Sequence, residues 1–310
     1  MTEQWIRRIL MVITFIGAMA SGTEQGRASS LEPEMTGPKA AVEKATVQDG
    51  YRKATWLWKT EWIRRDPREV LSFLDEQGVN LVYLQINGDI PATYYHRFIK
   101  QADALGIEVD ALDGAPRWGL ESKRDQITHF LNWIETYQQT ASEDEKFRGI
   151  HVDIEPHLLP QWKANSSDVI RQWESNVLYL RTEADRMELP LSADIPFWLG
   201  NYTAADGKTP LSRFMIREFD SVTVMSYRDT AKAIGDIAAD TFKEAAALGK
   251  PAMAAVETNP SREGDFLTFH EEGSQAMNEQ ITKFQDMVKN TPSYAGIAVH
   301  DFDGWRDMKK

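Results

Sequence analysis

Beyond residue 50 the chain is written in short apolar runs separated by longer amphipathic stretches. Eight runs stand out: Ala54 to Trp58, Asn80 to Ile86, Ile107 to Leu112, Gly149 to Glu155, Leu191 to Pro196, Ser221 to Tyr227, Ala252 to Glu257 and Ala295 to His300. Between them, helical spacing of apolar residues covers Pro67 to Gln77, Ala92 to Leu105, Lys123 to Tyr137, Ser167 to Met187, Leu211 to Arg217, Ala231 to Leu248 and Ser274 to Lys289. Gly78, Gly106 and Gly249 fall where three of these helices should stop, because glycine accepts the left-handed backbone that closes a helix. Strand and helix in strict alternation predict a parallel sheet, since parallel neighbours need a long crossover. Eight such units in about 250 residues predict a single α/β domain, a closed (β/α)8 TIM barrel, over residues 51–310. An open doubly wound sheet is the competing arrangement. No Gly-x-Gly-x-x-Gly follows the first run to support its dinucleotide-binding form.

A barrel puts its chemistry where strands end, at the C-terminal face. The polar residues closing the runs are Trp58, Lys59 and Glu61; Gln85 and Asn87; Asp113; Asp153 and Glu155; Asp194 and Trp198; Tyr227 and Asp229; Glu257; and His300, Asp301, Asp303 and Trp305. The ring is rich in carboxylates, which serve acid–base chemistry at a glycosidic bond, and in aromatic faces, on which sugar rings stack. Single members such as Asp113, Asp229 and Asp303 are equally suited to capping helices. The fourth run, His151-Val152-Asp153-Ile154-Glu155-Pro156, is the sharpest signal. Side chains alternate along a strand, so His151, Asp153 and Glu155 share the lumen face while Ile150, Val152 and Ile154 pack under helices. Glu155 falls nearest the mouth. Burial and a neighbouring carboxylate both favour its protonated form, the state a general acid needs. A buried polar network without chemistry is the alternative for these three residues.

The N-terminus changes where the protein is expected to work. Arg7 and Arg8 precede a short apolar run from Ile9 to Ala18, and Ala18-Met19-Ala20 is a small-x-small cleavage site. Residues 1–20 therefore read as a signal peptide, with secretion or periplasmic export as the expectation. Residues 21–50 read as a polar lead-in or tether. Nothing after the signal is apolar for long enough to span a bilayer, so no stable membrane insertion is expected after its removal. Of 310 residues, 42% are hydrophobic and 26% charged, enough apolar content for a large core. The net charge of −12 argues against nucleic acid and anionic lipid as partners. The absence of Cys excludes disulfides and thiolate metal sites. No cofactor is expected, and a carbohydrate is the expected partner.

The fourth run resembles that of the family 18 glycoside hydrolases, the chitinase-like barrels, whose motif is Asp-x-x-Asp-x-Asp-x-Glu. Aligned on Glu155, the motif covers Arg148 to Glu155; Asp153 and Glu155 match, while Arg148 and His151 stand at the first two Asp positions. Met225-Ser226-Tyr227 looks like the family's Met-x-Tyr-Asp, with Arg228 in place of the Asp and Asp229 one residue later. Leu191 to Pro196 is similar to the fifth strand of the family, and Trp305 resembles the tryptophan that floors its sugar site. The likeness runs in order over most of residues 53–305. It implies a substrate-assisted mechanism: Glu155 protonates the leaving oxygen, the substrate's N-acetyl oxygen attacks the sugar carbon, and Asp153 and Tyr227 hold the acetamido group. Chitin-type or peptidoglycan-type glycans follow as substrates. Trp58, Gln85, Asn87, His151, Asp194, Trp198, Met225, Asp229, His300, Asp301 and Trp305 are expected to line the binding site.

Three other readings compete. Glu155-Pro156 and Glu257 stand where many retaining glycosidases carry their acid and their nucleophile, after strands four and seven; that mechanism needs carboxyls about 5–5.5 Å apart. A metal site from His151, Asp153, Glu155 and His157 is disfavoured, because alternate residues on a straight strand are about 6.6 Å apart. The non-enzyme reading is a glycan-binding barrel without catalysis, which the His151 replacement favours and the retention of Glu155 opposes.

Overall fold

A computed structural model describes residues 50–310. The expected signal segment, and all of the polar lead-in but its last residue, lie outside the described residues. Eight strands follow one another around a closed, all-parallel barrel. They are β1 Arg52–Leu57, β2 Leu81–Gln85, β3 Glu108–Asp113, β4 Gly149–Val152, β5 Leu191–Pro196, β6 Ser221–Met225, β7 Ala252–Glu257 and β8 Tyr294–His300. The helices after them are α1 Pro67–Glu76, α2 Ala92–Asp103, α3 Arg124–Thr140, α4 Pro160–Arg186, α5 Leu211–Glu218, α6 Ala231–Leu248, α7 Ser274–Val288 and α8 Phe302–Asp307. The expected glycines all take left-handed φ, at +67° (Gly78), +74° (Gly106) and +65° (Gly249). The open-sheet alternative is thereby excluded.

Two elements differ from the sequence pattern. Helix α4 begins at Pro160 rather than near Ser167, but Asn165 within it is not helical, at φ −159° and ψ 82°. Its Oδ1 accepts the Asp168 backbone N–H at 3.2 Å, capping a second helix start where the periodicity put one. Strand β4 stops at Val152, three residues before Glu155. Gly114 at the end of β3 presses against the next residue: a Cβ there would lie 1.9 Å from the Asp153 carbonyl oxygen. Pro156 then opens a 3-10 turn. The Asp153 N–H still reaches the Asp113 carbonyl at 3.2 Å, so Asp153 leaves the sheet while keeping the strand's direction.

Alternation along the strands sorts side chains into two cores. The outer one packs helices on sheet and contains Leu57, Val82, Val109, Ile150, Val152, Ile195, Val224 and Val299. The inner one fills the lumen with Ala54, Trp56, Leu81, Tyr83, Leu112, Met253, Ala255 and Ala298. This filling comes from β1, β2, β3, β7 and β8. On the β4–β6 side the buried lumen positions are His151, Ser192, Asp194 and Thr223. The lumen is thus apolar on one side and polar on the other, and the polar side leads up to the mouth beside β4.

Candidate active site

His151 anchors the polar half. Its ring stacks on Tyr83, with centroids 3.6 Å apart and planes 12° from parallel. Nδ1 lies 2.8 Å from Ser192 Oγ. Nε2 stands 3.0 Å from Asp194 Oδ2, at an angle that makes the contact electrostatic rather than a hydrogen bond. The same Asp194 oxygen accepts the Trp56 indole N–H at 2.9 Å. Ring stacking, a hydroxyl and a carboxylate fix the imidazole on all sides, and the residue is fully buried. His151 is therefore a support beneath the site, deeper than the substrate-binding position expected for it.

Asp153 and Glu155 follow above it. Burial, and after it the Asp194 carboxylate, push Asp153 up to about 7. Burial, then Asp153 and Asp194, hold the Glu155 carboxyl well above the usual carboxylate range. Its side chain remains 16% exposed, so the proton it keeps is reachable from the mouth. His157 Nε2 stands 3.6 Å from Glu155 Oε2. That separation looks like an ion pair, but burial lowers His157 to about 4, and two groups with these shifts meet as neutral partners. Trp198 covers His157 edge-on, at 4.9 Å between ring centroids. Tyr227 packs on the inner core and lies 6.0 Å from the His300 ring. Burial, then the charges of Glu257, Asp194, Asp153 and Glu155, raise its phenol well above 10, so it stays a hydrogen-bond donor.

Across the mouth, Glu257 is in the opposite state. Its Oε1 accepts the backbone N–H of Thr258 at 2.8 Å, that of Asn259 at 2.8 Å and the Asn259 side-chain amide at 2.9 Å. Its Oε2 receives His300 Nδ1 at 2.9 Å. Burial works against ionisation here, but His300 and the Asn259 donors outweigh it and hold Glu257 below the usual carboxylate range. Burial likewise opposes the charge on His300, and Glu257 overrides it, raising the imidazole to about 10. Trp58 Nε1 approaches His300 Nε2 at 3.0 Å. An indole N–H only donates, so that contact is a hydrogen bond only while Nε2 keeps its lone pair. A charge-assisted bond is about twice as strong as a neutral one, so the Glu257 pairing dominates. Glu257, expected as a nucleophile, has both oxygens committed to internal partners.

The remaining expected residues divide. Met225 ends β6 with lumen parity, and Gln85 ends β2, its amide bonded to Asp113 Oδ1 at 3.0 Å. Burial raises Asp113 to about 6. Asn87 folds its side chain back onto the Asp89 N–H at 3.0 Å, shaping its own turn. The Asp229 N–H is tied to the Phe266 carbonyl at 3.2 Å. Asp301 caps α8, its Oδ1 accepting the Gly304 N–H at 2.9 Å. Trp305 is a correction. It is 2% exposed in the outer core, edge-on to Phe73 of α1 at 5.4 Å and under the Lys53 ammonium at 5.1 Å, so it does not floor a sugar site. Lys59 and Trp62 both reach Asp303, which serves the loop. Trp56, Tyr83, Ser192, Thr223 and Asn259 were missed. The first four lie inside apolar runs at the same parity as Trp58, Gln85, Asp194 and Tyr227, which was the available signal. Among the described residues no group of three His, Asp or Glu side chains is placed to hold a metal ion.

No protein-family model matches the chain, and no curated protein sequence matches it. Solved structures do. The C-terminal domain of a putative chitinase from Desulfitobacterium hafniense superposes with a TM-score of 0.55 at 10% identity, over 83% of this chain and 94% of that one. A family 18 chitinase of Flavobacterium johnsoniae gives 0.50 at 16% identity, over 82% and 88%. A plant class V chitinase mutant from Cycas revoluta, in complex with (GlcNAc)3, gives 0.50 at 12%, over 82% and 95%. What this chain shares with them is the fold, a closed (β/α)8 barrel.

Proposed function

We propose that this protein is an exported glycoside hydrolase that cleaves an N-acetylated polysaccharide of chitin or peptidoglycan type, with Glu155 as general acid. The observation that carries the reading is the Glu155 carboxyl, kept protonated by burial and by two neighbouring carboxylates yet reachable from the mouth. In a substrate-assisted reaction Glu155 gives its proton to the leaving oxygen. The acetamido oxygen of the substrate attacks the sugar carbon, and Asp153 and the Tyr227 phenol orient that acetamido group. The Cycas chitinase crystallised with (GlcNAc)3 supports the substrate class by fold likeness. A retaining mechanism through Glu257 has less support, because a carboxylate bound by four internal donors is a poor nucleophile. Reducing-sugar release should be measured on chitin oligosaccharides, peptidoglycan and neutral glucans, with Glu155→Gln as control. Release from an N-acetylated substrate, lost in the variant, is expected. Oligosaccharide binding without any release would instead favour a non-catalytic glycan-binding barrel, the reading His151 favours.

A further inference from the structure

The loops after β5, β6 and β7 meet around one half-buried cation, Arg228. Its guanidinium carbon stands 5.9 Å from the centre of the Phe197 ring, after β5, and 5.4 Å from that of Phe266, after β7. Its Nη1 donates to the Tyr227 carbonyl at 2.6 Å. The next residue, Asp229, fastens the β6 loop to the β7 loop through its N–H and the Phe266 carbonyl at 3.2 Å. Gly264, at φ +145°, lets the Phe266 ring fold back over the backbone, since a Cβ there would lie 2.5 Å from the ring. Three loops thus fix one guanidinium, and aromatic faces hold a cation without neutralising it. Arg148, Arg181 and Arg186 all pair with carboxylates distant in the chain. Arg228 has no such ion pair among the described residues.

With Nη1 engaged, the edge formed by Nε and Nη2 remains. Neither nitrogen has a hydrogen bond among the described residues, and neither is a buried atom left without a partner, so this edge opens to solvent. Two parallel N–H donors on one edge are the fork that takes a carboxylate through two charge-assisted bonds. The chain has a net charge of −12, and its mouth is lined with carboxylates, so an anionic glycan is repelled unless a cation receives it. We infer that Arg228 is a subsite for a carboxylate borne by the glycan, with Phe266, 49% exposed, as the apolar face for the sugar that carries it. The substrate class narrows to N-acetylated glycans that also carry a carboxylate, either the lactyl ether of a muramic-type sugar or the ring carboxyl of a hexuronate. The charges that shift Asp153 and Glu155 are those of Asp153, Asp194, His151 and His300. Arg228 stands apart from that set. It therefore reads a sugar away from the cleaved bond and sets affinity and selectivity rather than the strength of the acid.

The substrate class rests on the proposed function, but the test reads binding and does not. Calorimetry in Glu155→Gln protein, where turnover does not consume the ligand, compares four oligosaccharides of equal length. They are a peptide-free strand of alternating N-acetylglucosamine and N-acetylmuramic acid, the same strand with its carboxyls amidated, alternating N-acetylglucosamine and glucuronate, and a neutral chitin oligosaccharide. One carboxylated strand should bind about 10- to 100-fold more tightly than the neutral ones, the range of a hydrogen bond to a charged group, and which strand it is names the source of the carboxylate. Adding Arg228→Gln should erase that preference and leave chitin binding unchanged. Arg228→Lys, which keeps the charge and loses the fork, should restore only part of it. An arginine that merely ties loops would weaken neutral and anionic strands alike, and that result overturns the proposal. So does the absence of any preference for a carboxylated strand while Arg228 is in place, a result that stands even if Arg228→Gln fails to fold. Selective binding without cleavage by the wild type leaves the subsite standing and removes the hydrolase reading. Cleavage of chitin oligosaccharides without that selectivity does the reverse.

Discussion

Glu155 follows β4 and Glu257 ends β7, three strands apart on one barrel mouth, and the two sides treat a buried carboxyl in opposite ways. Glu257 is met by two backbone N–H groups, an amide and an imidazole. Its ionised form is therefore the stable one, as is the charged form of His300. On the β4–β5 side carboxylates are gathered without enough donors, two oxygens are left bare, and Asp153 and Glu155 are pushed toward their protonated forms. By linkage, the Glu257–His300 pair contributes stability over a broad range. Glu257 loses its share as pH falls through its lowered value, and His300 loses its share as pH rises through about 10. Raised acids behave in the reverse sense. Asp153 and Glu155 stabilise the fold fully below their unfolded values and lose that contribution as pH rises through the folded ones, about 7 for Asp153. One side is a fixed charge pair, and the other exchanges protons near neutrality, as acid catalysis requires.

The sharpest way to break the comparison is Glu155→Gln, which keeps the shape and removes the proton. If the β4 side carries the chemistry, kcat on an N-acetylated glycan should fall about 10²–10⁴-fold with affinity little changed. Wild-type kcat should decline as pH rises through the folded Glu155 value, since the acid must be protonated. Steady-state kinetics across pH checks both, and full activity in the variant refutes this placement of the acid.

Glu257→Ala tests the other side through stability. It leaves the buried His300 charge without its carboxylate and the Asn259 backbone N–H without its acceptor, while the Thr258 N–H keeps the His300 carbonyl and the Asn259 amide keeps Asp301. Removing one partner of a buried pair costs about 3–5 kcal/mol, which denaturant titration at pH 7 would register. The folded fraction should still cleave N-acetylated glycans. Loss of cleavage with rescue by azide would instead make Glu257 a nucleophile.

How much of this was legible in the sequence follows from period and parity. All eight strands overlap the runs that the alternation marked, with β1 and β8 beginning earlier and β3 ending later, because a parallel barrel imposes the same strand–helix period throughout. The lumen position of His151, Asp153 and Glu155 was legible from alternation. What alternation cannot carry is whether a polar side chain finds donors. Glu257 and Glu155 look alike in sequence, and their difference comes from a backbone turn at Thr258–Asn259 and from His300, 43 residues further on. Trp305 misled for a related reason. An aromatic soon after β8 looks like a sugar platform, but the short helix α8 swings it outward onto Phe73. Trp56 and Tyr83 passed as ordinary core because they are core, and only their polar edges serve the site.

A smaller effect sharpens the β4 side. His157 is buried neutral, lowered to about 4 from an ordinary value near 6.5. The unfolded chain takes up this proton first, so stability falls as pH drops from about 6.5 to about 4, by about 3 kcal/mol in all. His157→Gln should flatten that limb of a stability–pH curve. The Glu257–His300 side adds little over the upper part of that interval and begins to lose the Glu257 contribution only as pH nears that residue's ordinary value of 4.5. An unaltered acid limb in the variant would show that His157 is already charged beside Glu155.

The smallest expected effect concerns Trp58, where the two sides of the mouth are joined through His300. Ion pairing with Glu257 favours a proton on both imidazole nitrogens, whereas the Trp58 N–H at 3.0 Å suits a bare Nε2. If the pairing dominates, the indole N–H contributes no hydrogen bond at pH 7, and only its ring packing against the inner core matters. Trp58→Phe keeps most of that packing and removes the donor. Its cost at pH 7 should then stay below about 1 kcal/mol, less than the loss of a full hydrogen bond to a buried acceptor, about 1–3 kcal/mol. The His300 imidazole, relieved of an opposing donor, should hold its proton to still higher pH, which ¹⁵N resonances of the ring report directly. A cost at the upper end of the hydrogen-bond range, with a neutral ring at pH 7, would mean that Nε2 accepts from Trp58. The β7–β8 side would then be a neutral imidazole bonded to an anionic carboxylate rather than a fixed charge pair.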